Sequence, residues 1–133
     1  MVLVDTNVIL DIATNDPLWF EWSHAQLEPL VDAGEAAINP IIYAELVPAA
    51  RAVADLDTVI VPPGDFQRLP LPYAAAVPAA RAFAAYRQAG GAKTSPLPDF
   101  LVGAHAEVEN LTLLTRDPTR YRTYFPNVRL ICP

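Results

Sequence analysis

Acidic residues follow two apolar segments of this 133-residue chain at the points where β-strands would end. Asp5 comes directly after the segment VLV, and Asp117 comes two residues after the segment LTLLT at 111–115. In parallel sheets the carboxyl ends of neighbouring strands lie at one edge, where ligands bind. The two carboxylates would therefore meet if both strands are central. Taken singly, Asp5 could instead cap a helix and Asp117 could open an Asp-Pro turn.

Two further acids occupy helix positions that should be packed against the protein. Glu45 lies at helical spacing with the apolar residues Ile42, Leu46 and Ala49. Asp99 lies in the first turn of a predicted helix, in a row with Val102, Gly103 and Ala106. A buried carboxylate is costly unless something compensates its charge. Each of these two acids therefore either forms an ion pair or faces a metal ion or a cleft.

Together, the four acids indicate a site for a hard divalent cation. Carboxylate oxygens suit Mg²⁺ or Mn²⁺, and Mg²⁺ usually keeps waters and substrate phosphate oxygens beside one or two carboxylates. Two such ions roughly 3.5–4 Å apart can activate a water and stabilise the leaving oxygen of a phosphodiester. Carboxylates crowded together without a cation would raise one another's pKa values. We therefore expect an acidic cluster that is tightened by a cation.

The rest of the chain predicts the elements that would position these acids. Short apolar segments at 2–4, 36–38, 111–115 and 128–131, with a weaker candidate at 68–71, favour strands. Amphipathic stretches between them favour helices at 18–33, at 40–50 with Asn39 as the N-cap, at 73–88, 99–110 and 120–125, and from Thr6 or Asn7 onwards. This alternation predicts a single α/β domain over 1–133, a three-layer α/β/α arrangement whose central, mainly parallel sheet has four or five strands. Residues 51–72 match no pattern that we can name.

Composition and charge narrow the class of protein. Hydrophobic residues make up 53% of the chain, and one cysteine, Cys132, cannot form an intrachain disulfide, which fits a reducing cytoplasm. We expect no membrane span and no signal peptide. The net charge of −6 is unevenly spread, with eleven acids against one base in residues 1–65 and four acids against eight bases in residues 66–133. This asymmetry suggests that the later half faces an anion, although ordinary solvated helix faces would give the same totals.

Three other residues are expected to be structural. His105 is predicted to be a packed or surface histidine, because it lies off the row of Asp99. His24 has Glu28 one turn further along the same helix, which favours a surface pair over a metal site. Gly103 is expected to permit a close approach between its helix and the sheet.

With these motifs in place, the chain resembles the PIN-domain ribonucleases and, among them, the VapC-type toxins of bacterial toxin–antitoxin pairs. The resemblance rests on VDTNVILD at the start, YAEL at 43–46, LPDFLVGAHA at 97–106 and LLTRD at 113–117, in that order. It implies an acidic quartet of Asp5, Glu45, Asp99 and Asp117. Asp5 and Asp99 would be the most direct metal ligands, and the other two would complete the cluster, partly through water.

The resemblance also assigns expected roles to neighbouring polar residues. Hydroxyl and amide groups beside the acidic cluster would come from Thr6, Asn7 and Thr115. Four basic residues are candidates for holding RNA phosphates near the cations, namely Lys93, Arg116, Arg120 and Arg122. Each of the four could instead be a surface charge or part of a salt bridge.

The function implied is that of an Mg²⁺- or Mn²⁺-dependent endoribonuclease in the cytoplasm, a homodimer held in check by a small antitoxin. A PIN-like fold used only for binding remains an alternative. A haloacid-dehalogenase-type phosphatase is a weaker one, because that class needs an acid where this chain has Asn7 and a later lysine, and Lys93 is the only lysine.

Overall fold

The computed structural model describes residues 1–94 and 97–133. Within them, five parallel strands form one sheet in the order β3-β2-β1-β4-β5. The strands are β1 (Val2–Val4), β2 (Ala36–Ile38), β3 (Gln67–Arg68), β4 (Thr112–Leu114) and β5 (Leu130–Ile131). The chain runs outwards from β1 to β3 on one side and from β4 to β5 on the other. The strand order therefore reverses between β1 and β4, which is where open parallel sheets bind ligands.

Helices cover both faces of this sheet, which confirms the predicted three-layer α/β/α architecture. The helices are α1 (Thr6–Ala13), α2 (Phe20–Asp32), α3 (Pro40–Leu46), α4 (Val53–Asp55), α5 (Ala76–Gln88), α6 (Pro98–Val108) and α7 (Thr119–Tyr124). Helix α1 packs on α2 and α3, and α6 packs on α3, α5 and α7. All three residues of β1 are buried, because layers on both sides exclude water from this central strand. In the described part of the chain, no helix is long and apolar enough to cross a membrane.

The predicted helix after Asn39 ends earlier than expected. Asn39 caps it as predicted, since its Oδ1 accepts hydrogen bonds from the backbone N–H groups of Ile41 and Ile42, both at 3.0 Å. The α-helix stops at Leu46 and tightens into a 3₁₀ turn over Val47–Ala49. Pro48 explains the change, because it has no N–H with which to continue the α-helical ladder.

Other boundaries also differ from the sequence prediction. The helix expected over 18–33 is α2, and the strands expected at 68–71 and 128–131 are shortened to two residues each. Pro78 does not interrupt α5, because it lies in the first turn, where no backbone N–H needs a helical partner. The unassigned stretch 51–72 contains α4, a π-helical turn over Leu56–Ile60 and β3.

Gly103 lies directly against a neighbouring side chain, a contact that our expectation of helix–sheet packing did not include. A Cβ added at Gly103 would collide with the ring of Phe125, a residue just after α7 that is only 2% exposed. The glycine therefore allows the end of α7 to pack directly on α6. This contact matters for the site, because α6 carries Asp99 and α7 carries Arg120 and Tyr121.

We predict that Gly103→Ala destabilises the protein. Overpacking against Phe125 should cost about 1–3 kcal/mol, of which better helix propensity returns up to about 1 kcal/mol. Gly64→Ala is the matched control, because nothing lies within 4 Å of the Cβ that it would add. Urea unfolding should show a lower midpoint for Gly103→Ala alone. Equal midpoints for the two variants would contradict this packing.

Candidate active site

Asp5 lies at the carboxyl end of β1 and its side chain is held by four hydrogen bonds. Its Oδ1 accepts from the backbone N–H of Thr6 at 2.8 Å, so Asp5 does cap α1. Its Oδ2 accepts from Thr115 Oγ1 at 2.8 Å, from Tyr121 OH at 3.1 Å and from Asn7 Nδ2 at 3.2 Å. Two of the donors, Thr6 and Asn7, lie at the start of α1. Thr115 follows the end of β4, and Tyr121 lies on α7. The cap and the site are therefore two roles of one carboxylate.

Burial changes the acidity of this carboxylate. Asp5 is 5% exposed, and its removal from water, the largest influence, raises its pKa to about 6. The negative charge of Asp99 adds to the increase in the pKa. Hydrogen bonds from Thr115, Tyr121 and Thr6 favour the charged form and limit the rise in the pKa. Asp5 is thus a buried carboxylate whose charge is stabilised by dipoles rather than by a paired base.

Glu45 reaches the same place from α3. Its Oε1 accepts a hydrogen bond of 2.9 Å from the hydroxyl of Thr6, the residue that follows Asp5. Partial burial is the main cause of a raised pKa for Glu45, with a smaller contribution from the charge of Asp99 and an opposing one from the Thr6 hydrogen bond. Glu45 is thus half-buried, with its carboxylate directed toward the start of α1.

Asp99 joins these two acids from the first turn of α6. Its charge raises the pKa values of Asp5, Glu45 and Tyr121, so the three acidic side chains lie close enough for their charges to interact. Its Oδ2 accepts a hydrogen bond of 2.9 Å from Nη1 of Arg120. Of the two alternatives that the sequence left open for Asp99, the structure shows the ion pair, and it places that pair within the acidic cluster.

Asp117 stands at the same edge of the sheet, but its side chain is exposed. Its backbone N–H donates to Thr115 Oγ1 at 3.1 Å, which ties the Asp-Pro segment to the residue beside Asp5. The structure thus brings Asp5, Glu45 and Asp99 together and leaves the carboxylate of Asp117 at the periphery.

The predicted hydroxyl and amide groups lie beside the acids. Asn7 Nδ2 donates to Thr115 Oγ1 at 3.2 Å as well as to Asp5, and its Oδ1 accepts from the backbone N–H of Arg116 at 3.2 Å. Tyr121 is a contact that the sequence analysis missed. Its buried hydroxyl donates to Asp5, but a tyrosine on a short helix near the C-terminus carries no sequence signal that would link it to an aspartate 116 residues earlier.

The four basic residues have different surroundings. Arg116 pairs through Nε with both oxygens of Asp11, at 3.0 and 2.9 Å, and lies over the ring of Trp19. Arg120 pairs with Asp99. Arg122 is exposed and donates to Cys132 Sγ at 3.3 Å, and Lys93 is exposed on the loop after α5. The salt-bridge alternative therefore holds for Arg116 and Arg120.

The sequence left a salt bridge open for Arg116 but did not identify its partner, Asp11. Asp11 is 2% exposed and accepts a 2.7 Å hydrogen bond from Ser23 in addition to the Arg116 contacts. This network joins the segment after β4 to α1 and α2. It holds the backbone of Arg116 where its N–H reaches Asn7.

His105 is a packed histidine, as predicted, and it bridges two helices of the site. It is fully buried in α6, with Nδ1 3.1 Å from Asn39 Nδ2 and Nε2 3.1 Å from Glu109 Oε2. Because the Asn39 amide is the donor, Nδ1 accepts and Nε2 carries the proton. The bond ties the cap of α3 to α6, and so links the helices that carry Glu45 and Asp99. His24 and Glu28 form the expected surface pair at 3.7 Å.

The donor set fits a hard cation that keeps much of its water. Across residues 1–94 and 97–133, no three Asp, Glu, His or Cys side chains are grouped closely enough to enclose a metal by themselves. Two carboxylates with completing waters and phosphate oxygens are, however, the usual surroundings of Mg²⁺ in phosphate chemistry. Within the described ranges no basic side chain pairs with Asp5, so its buried charge supplies an oxygen ligand that favours a cation.

Comparison with known proteins agrees with this geometry. The family model described as the PIN domain matches residues 2–126. No curated protein matches the chain. Among solved structures, FitAcB from Neisseria gonorrhoeae is 25% identical with a TM-score of 0.71 and covers 98% of this chain and 96% of its own.

Two other solved structures show the same fold. The crystal structure of VapBC2 from Rickettsia felis bound to a promoter DNA fragment has a TM-score of 0.71 at 20% identity and covers 99% of this chain and 98% of its own. A toxin–antitoxin complex from Klebsiella pneumoniae has a TM-score of 0.64 at 22% identity, covering 96% and 95%.

The raised pKa of Asp5 predicts how stability depends on pH. A folded-state pKa of about 6 against an ordinary 3.8 means that the folded state takes up a proton that the unfolded state does not. The stability linked to Asp5 is therefore fully present below pH 3.8 and is lost as the pH rises through about 6. Between pH 5 and pH 7 the loss should be roughly 1 kcal/mol.

This prediction can be measured in the absence of divalent cations. Chemical unfolding at pH 5, 6 and 7 should show that the stability difference between wild type and Asp5→Asn varies with pH by that amount. Asp65→Asn, at an exposed position, should follow the wild-type profile. A pH-independent difference for Asp5→Asn would contradict the assignment.

Proposed function

The chain belongs to the PIN domain family, and on that premise we propose that it is a metal-dependent endoribonuclease and the toxin of a toxin–antitoxin pair. The observation that carries this proposal is the buried carboxylate of Asp5 at the point where the strand order reverses, with the charges of Glu45 and Asp99 beside it. One solved structure with the same fold is a toxin–antitoxin complex, which supports the toxin part of the proposal.

Asp5 and Asp99 would hold Mg²⁺ or Mn²⁺, and Glu45 and Asp117 would complete the site, partly through water. Bound there, the ion would activate a water for in-line attack and stabilise negative charge on an RNA phosphodiester. The chain's own residues keep the ligands in place. Three donors fix Oδ2 of Asp5, and Thr6 fixes Glu45, so neither carboxylate needs to reorganise during the reaction.

Glu45 also has the properties of a proton acceptor in this reaction. Its pKa is raised, mainly by partial burial, which makes it a stronger base than an exposed glutamate. The hydrogen bond from Thr6 leaves the second carboxylate oxygen available. We therefore propose that Glu45 takes a proton from the attacking water while Asp5 and Asp99 would hold the cation.

Basic residues near the edge would bind the RNA backbone. Arg116 has its Nε committed to Asp11, and its two terminal nitrogens would remain for a phosphate. Lys93 lies on the loop before α6, and Arg120 and Arg122 lie on α7. These three residues would bind further phosphates of the RNA backbone. Bound cations would reverse the sign of the acidic centre and so reconcile RNA binding with an acidic chain.

A small antitoxin and a second copy of the chain are the proposed protein partners. A groove of about 570 Å³ lies between α1, α2 and the segment 49–66. Apolar side chains line it together with Arg51 and four acids, Glu28, Asp32, Asp55 and Asp65. An apolar segment with basic residues would complement this lining.

The nuclease proposal predicts which substitutions abolish RNA cleavage. With the chain purified free of partners, Mn²⁺ or Mg²⁺ should support cleavage of unstructured or structured RNAs, and EDTA should stop it. Asp5→Asn and Asp99→Asn should each reduce the rate at least about 100-fold, because each removes a charged ligand. Glu107→Gln, on the same helix as Asp99, is the matched control. Cleavage that persists in EDTA or in both variants would overturn the proposal, and would favour a binding module if RNA is retained without cleavage.

The toxin proposal makes a separate prediction in cells. Expression of the chain alone should arrest bacterial growth, while Asp99→Asn expressed to the same level should not, because the growth defect depends on the acidic site. Glu107→Gln should remain toxic. Equal growth in all three cultures at equal protein levels would contradict the toxin role and leave the nuclease proposal to be judged on purified protein.

A further inference from the structure

Arg120 forms the one ion pair inside the acidic cluster that residues 1–94 and 97–133 contain. Nη1 of Arg120 lies 2.9 Å from Oδ2 of Asp99, and the two side chains are 38% and 35% exposed. The pair joins α7 to α6, whose packing is set by the contact between Gly103 and Phe125. Its geometry is therefore fixed by the fold, although water still reaches both groups.

Aromatic rings hold the guanidinium group in this position. The Cζ atom of Arg120 lies 5.9 Å from the centre of the Tyr86 ring and 5.8 Å from that of Phe100. Both distances allow attraction between the cation and the ring faces. Because Tyr86 belongs to α5 and Phe100 to α6, three helices position this one side chain. Arg122, on the same helix, is exposed and donates instead to Cys132 Sγ.

The charge of Asp99 affects the other ionisable groups of the acidic cluster. Its charge acts on Asp5, Glu45 and Tyr121. A group that neutralises Asp99 therefore lowers the negative potential of the whole cluster. Arg120 does this without a bound ligand, and a divalent cation would do the same at the same carboxylate.

We propose that Arg120 is a built-in counter-ion that competes with the divalent cation for Asp99 and so sets the cation concentration at which the site fills. This inference rests on the proposed metal-dependent activity. An arriving cation must either displace the guanidinium from Asp99 or bind beside its positive charge, and both weaken cation binding. Because the pair is about one-third exposed, solvent screens the effect, which should be moderate in size.

The test measures Mn²⁺ binding rather than activity. Arg120→Gln should bind Mn²⁺ roughly 3- to 10-fold more tightly than wild type at pH 8 and low salt, because a positive charge near the ion is removed. Arg120→Lys keeps the charge and should bind Mn²⁺ as wild type does. Arg129→Gln is the control, because Arg129 is exposed just before β5, at the amino ends of the strands, and it should leave the affinity unchanged. Raising the salt concentration should reduce the difference between Arg120→Gln and wild type.

The direction of the change separates competition from a structural role. If Arg120 only supports the orientation of Asp99, Arg120→Gln should bind Mn²⁺ more weakly, and equal or weaker binding overturns the inference while leaving the nuclease proposal intact. If wild type binds no Mn²⁺, the metal-dependent function fails, and the inference fails with it. Thermal unfolding of each variant, together with Arg120→Ala as a second uncharged variant, shows whether the fold is retained.

Discussion

The arrangement of the site depends on one constraint, a carboxylate buried at the end of the central strand. Water is excluded from Asp5 because β1 has neighbours on both edges and helices on both faces. The charge of Asp5 is disfavoured there, so the fold must provide donors for it. Four hydrogen bonds supply them. Positions 7, 115 and 121 therefore need donor side chains, whereas position 6 contributes its backbone N–H.

The hydrogen bonds to Asp5 also fix the positions of the strands and helices around it. Thr115 reaches Asp5 because β4 pairs with β1 in a register that places Val4 beside Leu114. Tyr121 reaches it because α7 packs on α6, where Gly103 leaves room for Phe125. The polar contacts and the packing are thus mutually dependent. Moving α7 would break the bond of Tyr121 to Asp5 and the ion pair of Arg120 together.

The sequence predicted what depends on local pattern and missed what depends on tertiary contacts. Strand ends and helix faces identified Asp5, Glu45 and Asp99, because a carboxylate in an apolar context is visible in the chain itself. The partners Tyr121 and Asp11 were missed, since their contacts join segments more than 100 residues apart. The stretch 51–72 was unreadable because its elements are short, and a π-helical turn has no recognisable periodicity.

The charges of the site explain why the fold tolerates so unfavourable a cluster. Three acids close together destabilise the cation-free chain, and hydrogen bonds to Asp5 and Glu45 offset only part of that cost. Arg120 offsets a further part at Asp99, but it does so from a partly exposed position where its attraction is screened. A fully buried base would stabilise the acids more strongly and would also close the site to a cation. The hydrogen bond between Asn39 and His105 joins α3 to α6, the helices that carry Glu45 and Asp99. Residual negative charge on a fixed framework is therefore what leaves this edge of the sheet able to bind a cation.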